Sequence, residues 1–428
     1  MASSFSIITR SIGRKWFAGL SNYPIVRMIG SPSSTLYPKG MSTLAENRSS
    51  SSSSPWLMLP PAFDATVTGA VSLSYKFYNP ADNKVVTLDT GKSCCHEREI
   101  THLHMRFAGS SQGWLALLSP SFDLFLYNPI SRRHIKLPPV RDLPEFPPST
   151  PIIYKLILSC SPDTPNCRAI ILYNSMYALA FCCPGFSKEW THIGDHQWLD
   201  PKSGRPFRNL EDGYCDFVYS KRHEALFTLT RDGVLESWDL RDPHSLRAVK
   251  MAEVRPMGTG KLLYPKLQLS CEVLDHLVVF GQDLFLVTHV CVDCFDFDGL
   301  YVDGHDNYQN TYDRGLPYVT TAFNVYKYNP ENQDVKYVKS LNGLAFFIGY
   351  HSDSFALPAA EFPELKPNSI YFTNALDDVM SPETPTGGHD IGIFNYKNRT
   401  VLPCYYPCDV KNMSKTHPAP TWFLPSPA

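Results

Sequence analysis

The sequence predicts an all-β protein, a single β-propeller of about six four-stranded blades (six or seven), and three observations carry that expectation. The first is a repeat. Tyr127-Asn128-Pro129 recurs as Tyr78-Asn79-Pro80 and as Tyr328-Asn329-Pro330, each copy following one apolar run and preceding another. Repetition of a short unit in this way marks a radial β architecture. The second is the set of 36 prolines spread along 428 residues. An interior proline removes a backbone donor and clashes with the preceding turn, so long helices are disfavoured throughout. The third is composition. Aromatic residues make up 13% and charged residues 19%, the latter below the usual figure of about 25%, as expected of many short strands joined by tight loops.

The elements follow from the repeats. YKFYNPADNKVVTLD from Tyr75, LFLYNPISRRHIKLP from Leu124 and VYKYNPENQDVKYVKSL from Val325 each alternate apolar and polar residues, turn at Asn-Pro, and alternate again. Asparagine bonds its own backbone and proline presets φ, so both suit the turn. Divergent copies lie at VLESWDLRDPHSLRAVKM from Val234, IGIFNYKNRTVLPCYY from Ile391 and YALAFCCPGFSKEWTHI from Tyr177. Further strands ahead of these hairpins, at 114–118, 225–229, 277–287 and 369–373, complete four-stranded sheets at kelch-like intervals. The blade count is open by one, because the first blade can close by borrowing a terminal strand.

The domain plan is a presequence at 1–45, a Ser-rich linker at 46–56, the propeller at 57–410 with an insertion at about 293–317, and a C-terminal tail at 411–428. Residues 1–45 contain no Asp or Glu, yet hold Arg10, Arg14, Lys15, Arg27 and Lys39. On a helix, Phe5, Ile8, Ile12, Trp16 and Leu20 form one apolar stripe with Arg10 and Arg14 opposite. A basic, acid-free amphipathic helix is the pattern of an organellar transit peptide, and its arginines favour the mitochondrion, with the chloroplast or dual targeting second.

At this point GSSQGWLALL from Gly109, LFLYNPISRRHIKLPP from Leu124, DGVLESWDL from Asp232, FPELKPNSIYFT from Phe362 and DIGIFNYKN from Asp390 together resemble the plant F-box-associated β-propeller family, whose domain was long labelled as of unknown function. The resemblance runs in order from about residue 60 to 407. It implies a propeller that binds proteins. Members commonly carry an N-terminal F-box, a helical hook to a ubiquitin ligase. Here PWLMLPPAFDATVTG from Pro55 has no helical period, and the transit-like peptide stands ahead of it. That combination resembles an F-box-less, organelle-targeted branch.

Candidate chemistry is sparse. His96-Glu97-Arg98-Glu99-Ile100 begins like a zinc-protease helix but has isoleucine where the second histidine must stand. Cys94, Cys95, His102 and His104 lack a partner pair of metal-ligand spacing. Cys291 and Cys294, with His289 just before them, form the C-x-x-C of the chain, but a loop follows it where a redox motif needs a helix. Asp296, Asp298 and Gly299 imitate a calcium loop, broken by Cys294 and His305 at its end positions. Trp238-Asp239 is read as a packing residue and a turn starter. The catalytic, cofactor-binding and metal-site assignments are therefore none, and no cofactor is expected.

Net charge of −2 gives no electrostatic footprint for nucleic acid, and the basic cluster Arg132, Arg133, His134 and Lys136 reads as a solvated strand edge. No apolar run reaches the ~18 residues of a membrane span. Twelve cysteines without a secretory signal are read as mostly reduced. The expected function is a non-catalytic scaffold holding an unidentified protein partner inside an organelle, with Tyr301, Tyr308, Tyr312 and Tyr318 of the insertion as its first test surface. The alternatives are a ubiquitin-ligase substrate receptor and a propeller enzyme or metal-binding protein. Oligomeric state is left open.

Overall fold

The structure is a computed structural model that describes residues 54–65, 71–89, 106–144, 153–173, 178–195, 198–199, 206–207, 213–242, 246–254, 271–292, 319–349, 351–373, 390–404 and 419–426. The expected presequence, the 94–104 cluster and the 293–317 insertion lie outside these residues. Among those described, helical structure is limited to two single 3-10 turns, Val140–Asp142 and Ala359–Glu361, and no helix is long and apolar enough to cross a membrane.

Among the described residues the strands form four four-stranded sheets, one nine-stranded sheet that comprises blades 5 and 6, and a two-stranded pair of Trp198–Leu199 with Pro206–Phe207. Blade 1 orders its strands as Thr421–Phe423, Trp56–Ala65, Val71–Asn79 and Lys84–Asp89 from inside outward. Blade 2 runs Arg106–Ser111, Trp114–Leu118, Leu124–Asn128 and Arg133–Lys136. Blade 3 runs Ile153–Leu158, Ala169–Tyr173, Ala178–Cys182 and Thr191–Asp195. Blade 4 runs Tyr214–Ser220, Ala225–Thr230, Val234–Asp239 and Ala248–Glu253. Blade 5 runs Cys271–Phe280, Asp283–Val292, Val319–Asn329 and Asp334–Tyr337. Blade 6 comprises Leu344–Ile348, Phe355–Pro358, Ser369–Phe372, Gly392–Asn395 and Thr400–Pro403.

All six sequence echoes are the same element, the hairpin joining the last two strands of a blade. The asparagine acts as the turn acceptor: Asn79 Oδ1 takes the N–H of Ala81, Asn128 Oδ1 those of Ile130 and Ser131, and Asn329 Oδ1 that of Glu331. Two of the three divergent copies keep the device, with Asn395 bonding Lys397 and Asn398, and Asp239 bonding Arg241. Four residues past each of the four asparagines the chain enters the left-handed region, at Asn83, Arg132, Gln333 and Arg399, which returns the strand at the right angle.

The ring closes by packing, because each blade is buried on both faces. Alternate residues serve opposite neighbours: in blade 3, Leu156, Ile171 and Ala180 join the blade 2 cluster, whereas Ile157, Ile170 and Leu179 join blade 4. Equivalent clusters link blades 4 and 5, 5 and 6, 6 and 1, and 1 and 2. Strands buried on both faces read as continuous apolar runs. Each enclosed large apolar side chain contributes roughly 1.5–3 kcal/mol.

Blade 1 borrows a terminal strand, the closure that the sequence left open, and blade 6 departs from the four-stranded plan. Residues 421–423, assigned to a tail, form the innermost strand of blade 1 by pairing Trp56–Phe423, Leu57–Trp422 and Met58–Thr421. Trp422 and Phe423 are fully buried there, so the first and last parts of the propeller lock together and the propeller extends past residue 410. Blade 6 has five strands. After Leu344–Ile348 the chain dips to the axis at 351–354, returns as Phe355–Pro358, and crosses over to place Ser369–Phe372 parallel to its first strand. A parallel pair requires such a crossover. The bridges Ser110–Ser352 and Val279–Phe355 tie this excursion to blades 2 and 5.

Candidate functional site

Charged residues from separate blades meet on the inner strands. Lys155 interrupts the apolar run of its strand, and its Nζ lies 2.6 Å from Asp216 Oδ1 of blade 4, both side chains being about 5% exposed (5% and 6%). Nζ also donates to the Phe217 carbonyl, and Asp216 Oδ2 accepts the N–H of Leu277 from blade 5 at 2.8 Å. One carboxylate thus fastens three consecutive blades. Beside this pair, the Asp353 carboxylate accepts Ser111 Oγ–H at 2.9 Å, the Asp353 N–H donates to Ser110 O, and the His351 Nδ1–H donates to Tyr154 O. Gly109 marks this crossing. A Cβ there would stand 2.7 Å from Leu156 O and 3.0 Å from His351 O, both backbone atoms.

The titratable groups are set by burial. Desolvation pushes Asp353 up to about 6 against the opposing pull of Lys155, and pushes Asp275 up to about 6 despite the 2.7 Å bond donated by Thr288 Oγ1. His276 is pushed down to about 4 by burial, with Asp216 opposing. Each of these carboxylates has a donor inside the protein, Asp216 and Asp353 from other blades and Asp275 from its own.

A second cluster sits where blade 5 faces blade 6. His289 stacks on Phe323 at 4.3 Å between ring centroids, its Nε2 is 2.6 Å from Thr320 Oγ1, and Cys291 Sγ is 3.4 Å from the same Nε2. Thr320 donates its N–H and its hydroxyl to Asp390 Oδ2 at 2.8 and 2.5 Å. A register shift between Val290 and Cys291 aims Cys291 and Thr320 into this corner. Burial holds His289 well below its usual pKa and pushes Asp390 up to about 6.

The third feature lies on the outside. A groove of about 720 Å³ runs between blades 4 and 5, floored by Phe227, Met251, Leu284, Tyr328 and Val338 and rimmed by Lys336, Glu331 and the ion pair Lys327–Asp283 at 2.7 Å. The two outer strands beside it expose Val249 and Tyr337, 61% and 49% accessible. Tyr328 donates its hydroxyl to Met251 O across the blade boundary.

The candidate residues read from sequence divide accordingly. His289 and Cys291 are brought together, whereas Cys294, Cys94, Cys95, His96, His102, His104, Asp296, Asp298, His305 and the four insertion tyrosines lie outside the described residues. Trp238 packs between blades 3 and 4 and donates to Thr228 Oγ1, and Asp239 starts the turn, both as expected. Arg133 and Lys136 occupy the solvated outer strand of blade 2, paired with Asp163 and Asp123. Among the described residues seven cysteines have free thiols, Cys182 and Cys291 included. Sequence reasoning missed Lys155 and Asp216, whose signal was a charge inside an apolar run, and Asp353, which carried none.

The profile of the KIB1-4 β-propeller family matches residues 77–395. An Arabidopsis thaliana protein described as an F-box protein is 22% identical over 314 residues, covering 70% of this chain and 72% of its own. Among solved structures, apo AztD from Citrobacter koseri superposes with a TM-score of 0.30 at 14% identity, covering 57% of this chain and 71% of its own. The Nup133 β-propeller domain from Vanderwaltozyma polyspora gives 0.28 at 14% identity, covering 80% and 75%. Superpositions this loose carry no functional argument.

Proposed function

Because the chain belongs to the KIB1-4 β-propeller family, we propose that it is a non-catalytic scaffold that holds a protein partner in the groove between blades 4 and 5, inside an organelle. The observation that carries this reading is the contrast in exposure between axis and rim. The axial charges are bonded within the fold, whereas the groove offers apolar floor, exposed aromatic and aliphatic side chains and mixed charges at its edge. An apolar centre with a polar rim is the anatomy of a protein interface. Large rigid aromatics such as Tyr328 and Tyr337 are the residue types that anchor partners.

The organellar part rests on residues 1–45, acid-free, basic and helically patterned. A mitochondrial address is the first choice. The name of the Arabidopsis relative supports protein recognition and also favours a second reading, a ubiquitin-ligase substrate receptor.

One experiment separates the two. The protein tagged at its C-terminus is located in plant cells and its mature N-terminus sequenced. The organellar reading expects removal of the first few dozen residues and an organellar signal. An intact N-terminus in cytosol or nucleus overturns it and favours the ligase reading.

A further inference from the structure

We infer that His289, Cys291 and Asp390 form a zinc-binding site that ties blade 5 to blade 6. The three ligand atoms, an imidazole nitrogen, a thiol sulfur and a carboxylate oxygen, lie within 4.8 Å of one another. Tetrahedral zinc with bonds of about 2.3 Å to sulfur and 2.0–2.1 Å to nitrogen separates those two ligands by about 3.5 Å. Cys291 Sγ and His289 Nε2 are already 3.4 Å apart. The donor set of one imidazole, one thiolate and one carboxylate suits zinc, a borderline-soft ion that accepts all three.

Packing and one backbone bond hold the ligands, while among the described residues His289 Nδ1 is buried without a hydrogen-bond partner. Phe323 stacks on the His289 ring and Phe372 flanks it at 5.9 Å, fixing its plane. The Thr320 N–H holds the Asp390 carboxylate at 2.8 Å. The Thr320 hydroxyl now lies between His289 and Asp390, and turning it aside admits the ion while the backbone bond keeps the carboxylate oriented. His289 and Cys291 are buried and Asp390 is half-buried. Thiolate and carboxylate together balance the charge of a divalent cation, and binding releases the thiol proton to solvent. Three protein ligands leave a fourth position for water. This inference is independent of the protein-binding groove, which lies on the outside between blades 4 and 5.

The test uses the full chain, stripped with chelator and titrated with cobalt(II) as the spectroscopic stand-in for zinc. The expected result is a thiolate-to-cobalt charge-transfer band that saturates at one equivalent and is displaced by zinc. Cys291→Ser abolishes the band, and Cys215→Ser in blade 4 retains it. His289→Gln and Asp390→Asn each weaken cobalt binding at least about ten-fold, the lower end of what losing even an outer partner costs. Should Cys291→Ser not fold, the thermal midpoint decides: zinc raises it in the wild type and in Cys215→Ser but not in Asp390→Asn. No band at saturating cobalt, or a band that survives Cys291→Ser, overturns the site. So does a zinc-induced rise in midpoint that persists in Asp390→Asn.

Discussion

The axis and the blade 4/5 groove use the same residue types to opposite ends. At the axis, Lys155 and Asp216 are removed from water and bonded to each other and to backbone groups of neighbouring blades. In the groove, Lys327 and Asp283 also pair, but with both side chains more than 40% accessible (44% and 41%). A buried pair is intolerant of losing one member, because the survivor is a stranded charge. An exposed pair is screened and nearly neutral for stability. The difference teaches that axial charge specifies which blades stand together, while groove charge stays open to solvent.

The sharpest way to break the comparison is to strand a charge. Lys155→Ala is expected to cost about 3–5 kcal/mol in denaturant unfolding, the range for leaving a buried partner unpaired. A loss below about 1 kcal/mol would make the axis no different from the surface.

The next effect depends on pH. Folding favours the protonated form of Asp353, because its pKa is raised to about 6. The folded state therefore binds more protons than the unfolded chain between about pH 4 and 6. The contribution is present at low pH and lost as pH rises through about 6. The stability of wild type relative to Asp353→Asn should accordingly fall by about 2–3 kcal/mol between pH 4 and pH 7. His276, lowered to about 4, acts in the reverse sense. Its contribution is lost on acidification from about 6.5 to about 4, so only the difference between the two proteins isolates Asp353. A flat difference across that range would mean that Asp353 is as well hydrated as an exposed carboxylate.

A smaller effect attaches to the repeated turn. Asn128→Ala removes two hydrogen bonds to backbone N–H groups and is expected to cost about 1 kcal/mol, readable as a lower thermal midpoint. Smallest is Lys327→Ala, expected to change stability by less than about 1 kcal/mol.

The sequence disclosed the fold through its turns. Asn79, Asn128, Asn329 and Asn395 each had to satisfy local backbone donors, and local chemistry leaves a local pattern. Gly109 and Gly113 of GSSQGW also follow from close approach, Gly113 having φ +80 and Ser426 atoms within 2.6 Å of where a Cβ would stand. Contacts made across the ring left weaker traces. Thr421–Phe423 looks like a tail because its partner, Trp56–Ala65, lies at the other end of the chain. Asp390 could not be joined to His289 and Cys291 from sequence, since it comes from the next blade. The groove was equally hidden, being made of outer strands and turns of two blades that are unremarkable singly.

The central claim is that the groove, and not the axis, is the working surface. Its most direct test is capture of partners from purified organelles by wild type and by the double variant Val249→Glu, Tyr337→Glu. Both positions are exposed, but Tyr337 packs edge-on against Tyr326 at 5.6 Å, so the thermal midpoint of the variant is measured alongside to establish that it folds. The account predicts that proteins retained reproducibly by the wild type are lost from the variant. Retention of the same proteins at the same level by a folded variant would contradict it.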